Sequence, residues 1–344
     1  MRALSVLLLS DDRPGHYHLA EGVIAAIARV RPVETSRFLV RRRRWLPGRV
    51  LADLLLRGVP PRSLLAFGYR LDTRQLPKTD LIVSAGGETL VANAAMARLT
   101  GAPNIFCGSL RRLPPEAFAL VVSSYARHAA LPRHIVALKP NGIDPDTLGR
   151  TKEAKRLGRA SPPKLAGLLI GGDSGYFHYE REEWQALLVF LRQSHLAHGT
   201  RWAVSTSRRS PPEVGNELAV MAAGPDSPIA ELIDFRTAGP GTLPHIFARA
   251  EAILCTEDSS TMLSEAVCAR LPVVGVSPLR HGFKDEEREY REFMRAQRWC
   301  RFLPLAELTT ERFVEELGAV EPLTENHLDR LAAALRERLP QLFD

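Results

Sequence analysis

No stretch of this 344-residue chain approaches the roughly 18 consecutive apolar residues that a membrane-spanning helix requires. The mainly apolar run Leu4–Leu9 is too short for the core of a secretory signal and leads straight into Asp11, Asp12 and Arg13. It reads as a buried first strand, and a cytoplasmic location is the expectation. Cysteine is scarce: Cys107, Cys255, Cys268 and Cys300 lie far apart without a C-x-x-C pair. That argues against a structural zinc and a disulfide framework, and leaves them as small buried hydrophobes. Lysine is nearly missing too, since 40 of the 46 basic residues are arginine.

What is present fits a soluble globular protein. Apolar residues make up 45% and charged residues 25%, which excludes a disordered chain, and the length suits two domains. Charge is unevenly divided. Residues 1–150 hold 22 Lys+Arg against 11 Asp+Glu, a surplus of +11, whereas the remainder holds 24 against 28. A basic first half beside a mildly acidic second half points to an anionic partner for the first.

The pattern along the chain is strand, turn, helix, repeated. Leu4–Ser10, Leu81–Ser84, Asn104–Cys107 and Leu120–Ser123 read as strands, with helices over Leu19–Ala28 and Thr89–Leu99. A Pro/Gly/Asn-rich segment, Lys139–Asp146, punctuates the chain, and the charged stretch 150–164 extends the linker. Strands follow at Leu165–Ile170, Trp202–Ser205, Ile253–Cys255 and Pro272–Val276, with helices over Glu182–Arg192 and Thr261–Ala269. Continuous apolar strands alternating with helices indicate parallel sheet buried on both faces. The expectation is therefore α/β: two doubly wound domains, 1–145 and 146–282, facing across a cleft, with helices over 283–344 packing on the outside.

In open parallel sheets ligands sit beyond the carboxyl ends of the strands, so the turns there carry the chemistry. The turn Thr256–Thr261 passes from strand to helix through Glu257, Asp258, Ser259, Ser260 and Thr261. A helix N-terminus with hydroxyl residues suits a phosphate, and Glu265, one turn beyond Thr261, suits a ribose. Ordinary capping by Asp258 or Ser259, with Glu265 solvated, explains the same residues. Ser207, Arg208 and Arg209 follow another strand, where an arginine fork can hold a diphosphate or simply face solvent. Gly171-Gly172 ends a strand as a ligand loop or a plain tight turn, and matches neither a dinucleotide fingerprint nor a P-loop. In the first half, Gly15 and His16 precede one helix, and Gly86, Gly87 and Glu88 another. His16, Asp12 or Glu88 is a candidate general base. Asp144-Pro145-Asp146 and His16-Tyr17-His18 are set aside as metal sites, so no metal is expected. The run Arg41–Arg44 with Trp45 and Leu46 reads as a solvated corner, a contact with anionic lipid, or a phosphate-binding patch, and membrane is preferred. No nucleic-acid-reading motif accompanies it, so no nucleic acid is expected.

These motifs resemble a known family. Arg13-Pro14-Gly15-His16, Leu169-Ile170-Gly171-Gly172-Asp173-Ser174, Thr206-Ser207-Arg208-Arg209 and the run Thr256–Ala266 occur in order across residues 4–276. Together they resemble the family named after the plant mitochondrial fission protein ELM, whose bacterial members are assigned as glycosyltransferases. The resemblance implies a GT-B fold, two Rossmann-like domains with the nucleotide-sugar in the second and the acceptor held mainly by the first. Phe247–Ala252 and Ser264-Glu265-Ala266 are also similar to the donor site of the transferase that makes lipid II. That similarity implies diphosphate at Ser260 and Thr261, ribose at Glu265, and Gly15, Gly86 and Gly87 in acceptor-side loops. The loop through Thr242 is expected near the base. The chain departs from that enzyme in carrying Asp258-Ser259-Ser260 where a glycine loop is usual.

The expectation is a metal-independent glycosyltransferase with no cofactor beyond a nucleoside-diphosphate sugar. Its acceptor would be an anionic, lipid-linked or other cell-envelope saccharide, lipopolysaccharide included, at the inner face of the membrane. A sugar-nucleotide epimerase or hydrolase of the same fold, and a non-catalytic adaptor, are the alternatives; the plant namesake is known for organelle division.

Overall fold

The computed structural model describes residues 2–149 and 161–344. The linker stretch 150–160 lies outside the described residues. The chain divides into two units, one of residues 1–142 and 327–344, the other of residues 143–326.

The first unit runs β1 (Leu4–Ser10), α1 (Pro14–Ala28), β2 (Val33–Leu39), α2 (Gly48–Leu56), α3 (Pro61–Tyr69), β3 (Leu81–Ala85), α4 (Leu90–Thr100), β4 (Asn104–Cys107), β5 (Leu120–Ser123) and β6 (His134–Val136). Its six strands form one parallel sheet in the order β2-β1-β3-β4-β5-β6. Side chains alternate across a strand, so β1 sends Leu4, Val6 and Leu8 to one face and Leu7 and Leu9 to the other. The first set packs with Val23, Ile24 and Ile27 of α1, and the second with Leu51, Leu55, Leu64 and Leu65 of α2 and α3.

The second unit runs β7 (Leu165–Leu169), α5 (Arg181–His198), β8 (Arg201–Ser205), α6 (Pro212–Ala223), β9 (Ile229–Ile233), α7 (Phe235–Ala238), α8 (Leu243–Arg249), β10 (Ala252–Thr256), α9 (Ser260–Cys268), β11 (Val273–Ser277), α10 (Asp285–Ala296), β12 (Arg301–Pro304) and α11 (Thr310–Gly318). Its sheet is again parallel and six-stranded, in the order β12-β11-β10-β7-β8-β9. One face holds Trp184, Leu188 and Leu191 of α5 against Leu168, Trp202 and Val204. Trp202 is fully buried, and its indole N–H donates to Ser194 Oγ at 2.9 Å.

The last helix, α12 (His327–Arg338), belongs to the first unit. Leu328, Leu331 and Leu335 join the core beside α1, and Arg29 Nε donates to Asp329 Oδ1 at 2.8 Å. The segment 283–344 thus contributes helices to both units. Residues 283–326 give the second unit two helices and its edge strand β12, which at four residues is too short to show a strand period.

Three smaller expectations resolve at the residue level. All four cysteines are buried, and burial pushes the Cys107 thiol up to about 12. Asp144 and Asp146 each accept from Asn326 Nδ2 at 2.8 Å, and Asp146 also pairs with Arg270, so both carboxylates are structural partners in the second unit. No described helix is long and apolar enough to cross a membrane.

Gly22, inside α1, tests packing against propensity. A Cβ there would lie 2.1 Å from the backbone N of Asn141, which has no side-chain freedom with which to yield. Glycine to alanine in a helix ordinarily gains about 0.4–1 kcal/mol. Overpacking against a fixed backbone costs about 1–3 kcal/mol and decides the sign here. Gly22→Ala should lower the urea midpoint of the first unit; a raised midpoint would refute this packing.

Candidate functional site

In the first sheet β1 lies between β2 and β3, so the connections from β1 and β3 leave in opposite directions. A crevice opens there at the carboxyl ends. The loop after β1 and the loop after β3 meet across it: His16 lies so close over Gly86 that a Cβ on the glycine would be 2.3 Å from Nδ1. Gly86 also has φ +87°, so glycine is required twice over.

His16 does not act alone. Its Nδ1 is 2.7 Å from Asp11 Oδ2, and the Asp11 side chain is only 3% exposed. A carboxylate only accepts, so Nδ1–H donates and the ring is fixed with Nε2 as the nitrogen not engaged by Asp11; in the neutral ring that nitrogen carries the lone pair a general base needs. Burial works to raise the Asp11 carboxyl, but the hydrogen bond and charge of His16, with Arg13, outweigh it and hold Asp11 below the ordinary carboxylate range.

Asp11, and neither Asp12 nor Glu88, is the carboxylate hydrogen-bonded to His16. Asp12 takes a left-handed conformation, φ 64°, which turns its exposed side chain to Arg37 at 3.4 Å and Arg41 at 3.9 Å. Glu88 spends both carboxylate oxygens on Arg42, at 3.1 and 2.8 Å. Both are paired with arginines of the first unit. Gly15 sits exposed in the first turn of α1, and Gly87 lies beneath the guanidinium of Arg111, 2.7 Å from where its Cβ would be.

The second sheet repeats the topology. Its order reverses between β7 and β10, and the loops after these strands meet. Asp258 turns inward, with a side chain 0% exposed, and is held by the Arg209 guanidinium, by Gly172 N–H at 3.2 Å and by Tyr179 Oη at 3.1 Å. Burial, and then the nearby carboxylate, push the Tyr179 phenol up, so it remains a donor. Gly171 N–H donates to Thr256 Oγ1 at 2.7 Å, and Gly171 O accepts from Ser207 Oγ at 3.2 Å and Ser210 Oγ at 2.8 Å. No Cβ fits at Gly171, where the Asp258 carboxylate would be 2.1 Å away, or at Gly172, where Arg209 O would be.

These contacts show what several of the donor-site candidates touch within the second unit. The amides of Gly171 and Gly172 are used within the loop, the Ser207 hydroxyl proton goes to Gly171 O, and Arg209 and Asp258 neutralise each other. Most of their polar groups are thus used between the loops; the Nε of Arg209 is buried without an acceptor among the described residues. Glu257 is likewise buried, its carboxylate on Arg291 Nε at 2.9 Å. Burial pushes its carboxyl above the ordinary range although Arg291 pulls the other way.

What remains open is narrower. Arg208 is exposed and makes no hydrogen bond or ion pair with another described residue. Ser259, not Asp258, caps α9, accepting from Met262 N–H at 3.4 Å, and Ser260 and Thr261 form a half-buried first turn. Glu265 is 7% exposed, so it is not the solvated helix residue that capping alone would leave. Thr242 starts α8 without a side-chain cap, after Gly239 and Gly241 at φ +70° and +90°. Among the described residues no group of three His, Cys, Asp or Glu is arranged to hold a metal.

Sequence reasoning missed Asp11, Tyr179, Ser210 and Arg291. Only Asp11 left a signal, as the carboxylate immediately before the one chosen.

Two measurements test these assignments. Removing Arg209 strands a fully buried carboxylate, whereas removing Asp258 leaves an arginine that is one-third exposed and able to rehydrate. Arg209→Met should therefore destabilise by about 3 kcal/mol and Asp258→Asn by clearly less, in urea unfolding at pH 7. A lowered carboxyl contributes stability above its unfolded value near about 4, lost as pH falls through the folded value. Asp11→Asn should accordingly be less stable than wild type at pH 7, with the gap closing toward pH 3.

Comparison with known proteins agrees with this architecture. A Listeria monocytogenes protein assigned as a UDP-N-acetylglucosamine 2-epimerase superposes with a TM-score of 0.52 at 11% identity, covering 99% of this chain and 98% of its own. Acinetobacter baumannii MurG gives 0.50 at 13%, covering 98% and 95%. The Methanocaldococcus jannaschii UDP-GlcNAc 2-epimerase, solved with UDP-GlcNAc and UDP, gives 0.50 at 13%, covering 98% and 100%. At such identities the likeness establishes the fold, two Rossmann-like domains of GT-B type. A sequence comparison with curated proteins returns no match. A family profile described as Mitochondrial fission ELM1 matches residues 14–339. With most of the chain inside that match, the protein belongs to the mitochondrial fission ELM1 family.

Proposed function

We propose that the protein is a metal-independent glycosyltransferase, moving a sugar from a nucleoside-diphosphate sugar to a cell-envelope saccharide or lipid-linked acceptor at the cytoplasmic face of a membrane. The observation that carries this reading is the division of labour between two adjacent arginines. Arg209 neutralises Asp258 inside the loop, so the carboxylate beside the expected diphosphate no longer repels it. Arg208, beside it in the chain, is left as an exposed cation, and Asp258 directly precedes the N-cap of α9.

In this reading Arg208 and the amide and hydroxyl groups of Ser259–Thr261 hold the diphosphate and meet the charge that grows on it as it leaves. That is the task a divalent ion performs in other transferases. Glu265 holds the ribose, and the loop at Thr242 lies near the base. The first unit binds the acceptor, whose anionic character fits the basic surplus of residues 1–150. His16 Nε2 takes the acceptor hydroxyl proton while Asp11 steadies the imidazolium that forms. The acceptor oxygen bonds to the anomeric carbon as the bond from that carbon to the diphosphate oxygen breaks.

The test is a thermal-shift screen of the full chain with UDP, GDP, CDP, ADP and dTDP and their common sugars, in chelator. Binding to the folded state raises Tm by mass action. One nucleotide should give a clear shift, and Arg208→Ala should weaken its binding by about tenfold or more, the loss of one charge-assisted contact. His16→Ala should keep the shift and lower transfer by about 10²–10⁴-fold. Isomerisation or hydrolysis of the donor without an acceptor would assign an epimerase or hydrolase instead. The lack of a shift with every nucleotide would assign an adaptor.

A further inference from the structure

The chemistry above leaves the arginine-rich part of the first unit unused. Residues 41–70 contain eight arginines and a single acidic residue, Asp53. That acid is held by Arg112 at 3.1 Å. Arg42 points inward to Glu88, and Arg41, Arg44, Arg49, Arg57, Arg62 and Arg70 are exposed.

The same segment exposes apolar surface in a defined place. Helices α2 and α3 bury Leu51, Leu55, Leu64 and Leu65 in one core on one side of the sheet, so their other faces point away from it. On α2 the exposed residues are Arg49, Val50 and Leu56, with Arg57 exposed at its C-cap; the seven-residue spacings 49–56 and 50–57 put them on one side. On α3 Phe67 lies outward between Arg62 and Arg70. Trp45 is 61% exposed and Phe67 50%, and their rings meet edge to face with centroids 5.5 Å apart. The Arg43 guanidinium lies 5.8 Å from the Phe67 ring. An aromatic pair this open leaves apolar area in water that a partner would remove.

We propose that this face of α2 and α3, led by Trp45 and Phe67, docks reversibly on an anionic lipid bilayer. The two rings enter the boundary between headgroups and acyl chains, and the surrounding arginines stay at headgroup level on lipid phosphates. Val50 and Leu56 favour lipid over nucleic acid, because aliphatic side chains bury against acyl chains and offer nothing to a base or a backbone phosphate. The inference stands whether or not the protein transfers a sugar.

Flotation of the full chain with phosphatidylcholine vesicles, with and without phosphatidylglycerol, tests it. Wild type should float only with the anionic vesicles and be released by salt. Trp45→Ser combined with Phe67→Ser should lower partitioning by at least about tenfold at an unchanged Tm, since both side chains are exposed. Arg41→Ser with Arg44→Ser should weaken the dependence on phosphatidylglycerol. In wild type itself, brominated lipid should quench tryptophan emission, which needs no variant to fold. Equal flotation with both vesicles, unchanged flotation of the aromatic variant, or no quenching would each overturn the proposal. Tighter binding to an RNA or DNA oligonucleotide, lost in the same variants, would overturn it in favour of nucleic acid.

Discussion

A carboxylate taken out of water has to be neutralised where it stands, and Asp258 meets that requirement by drawing three strand ends together. Its oxygens take the guanidinium of Arg209 from the loop after β8, the amide of Gly172 from the loop after β7 and the phenol of Tyr179. The loops can approach this closely only because Gly171 and Gly172 have no side chains. The remaining polar groups of the turn then follow: serines tie the loop carbonyls, Ser259 caps α9, and Arg208 is left over. An arrangement that looks from its composition like an anion site is largely a self-satisfied scaffold, with its free cation displaced by one residue.

The first unit applies the same device at the corresponding place in its own sheet. There a histidine ring, not a carboxylate, fills the space over a glycine, and the buried partner is Asp11. In each unit the polar group sits where the strand order reverses, so that helices on opposite faces diverge and leave the strand ends uncovered. What differs is what is left for a ligand: a ring nitrogen in the first unit, a cation and a helix N-terminus in the second.

Eight strands are legible in the sequence, and the four that are not, β2, β6, β9 and β12, are the outer strands of the two sheets. Central strands are buried on both faces and show as apolar runs. Edge strands such as Val33–Leu39, mostly exposed, carry a polar pattern that no period distinguishes from a loop. The turns after the central strands were legible for the same reason. Which of two adjacent residues turns inward was not. Asp11 against Asp12, and Arg208 against Arg209, are decided by a single backbone dihedral or a single partner far away in sequence, and residue type is identical within each pair. Glu88 and Glu257 looked available because their arginine partners, Arg42 and Arg291, are 46 and 34 residues distant.

The placement of α12 has a consequence for how the chain is made. Residues 327–344 supply Leu328, Leu331, Leu335, Leu342 and Phe343 to the core beneath α1. During synthesis the first 142 residues leave the ribosome well before the segment that covers this face. Until the second unit has been translated, the first sheet carries an open apolar surface on the α1 side, a substrate for holding chaperones. The unit begun first is thus the one completed last. A premature stop within residues 143–326 would leave the amino-terminal unit incomplete as surely as the second, and one after residue 326 would spoil the amino-terminal unit alone.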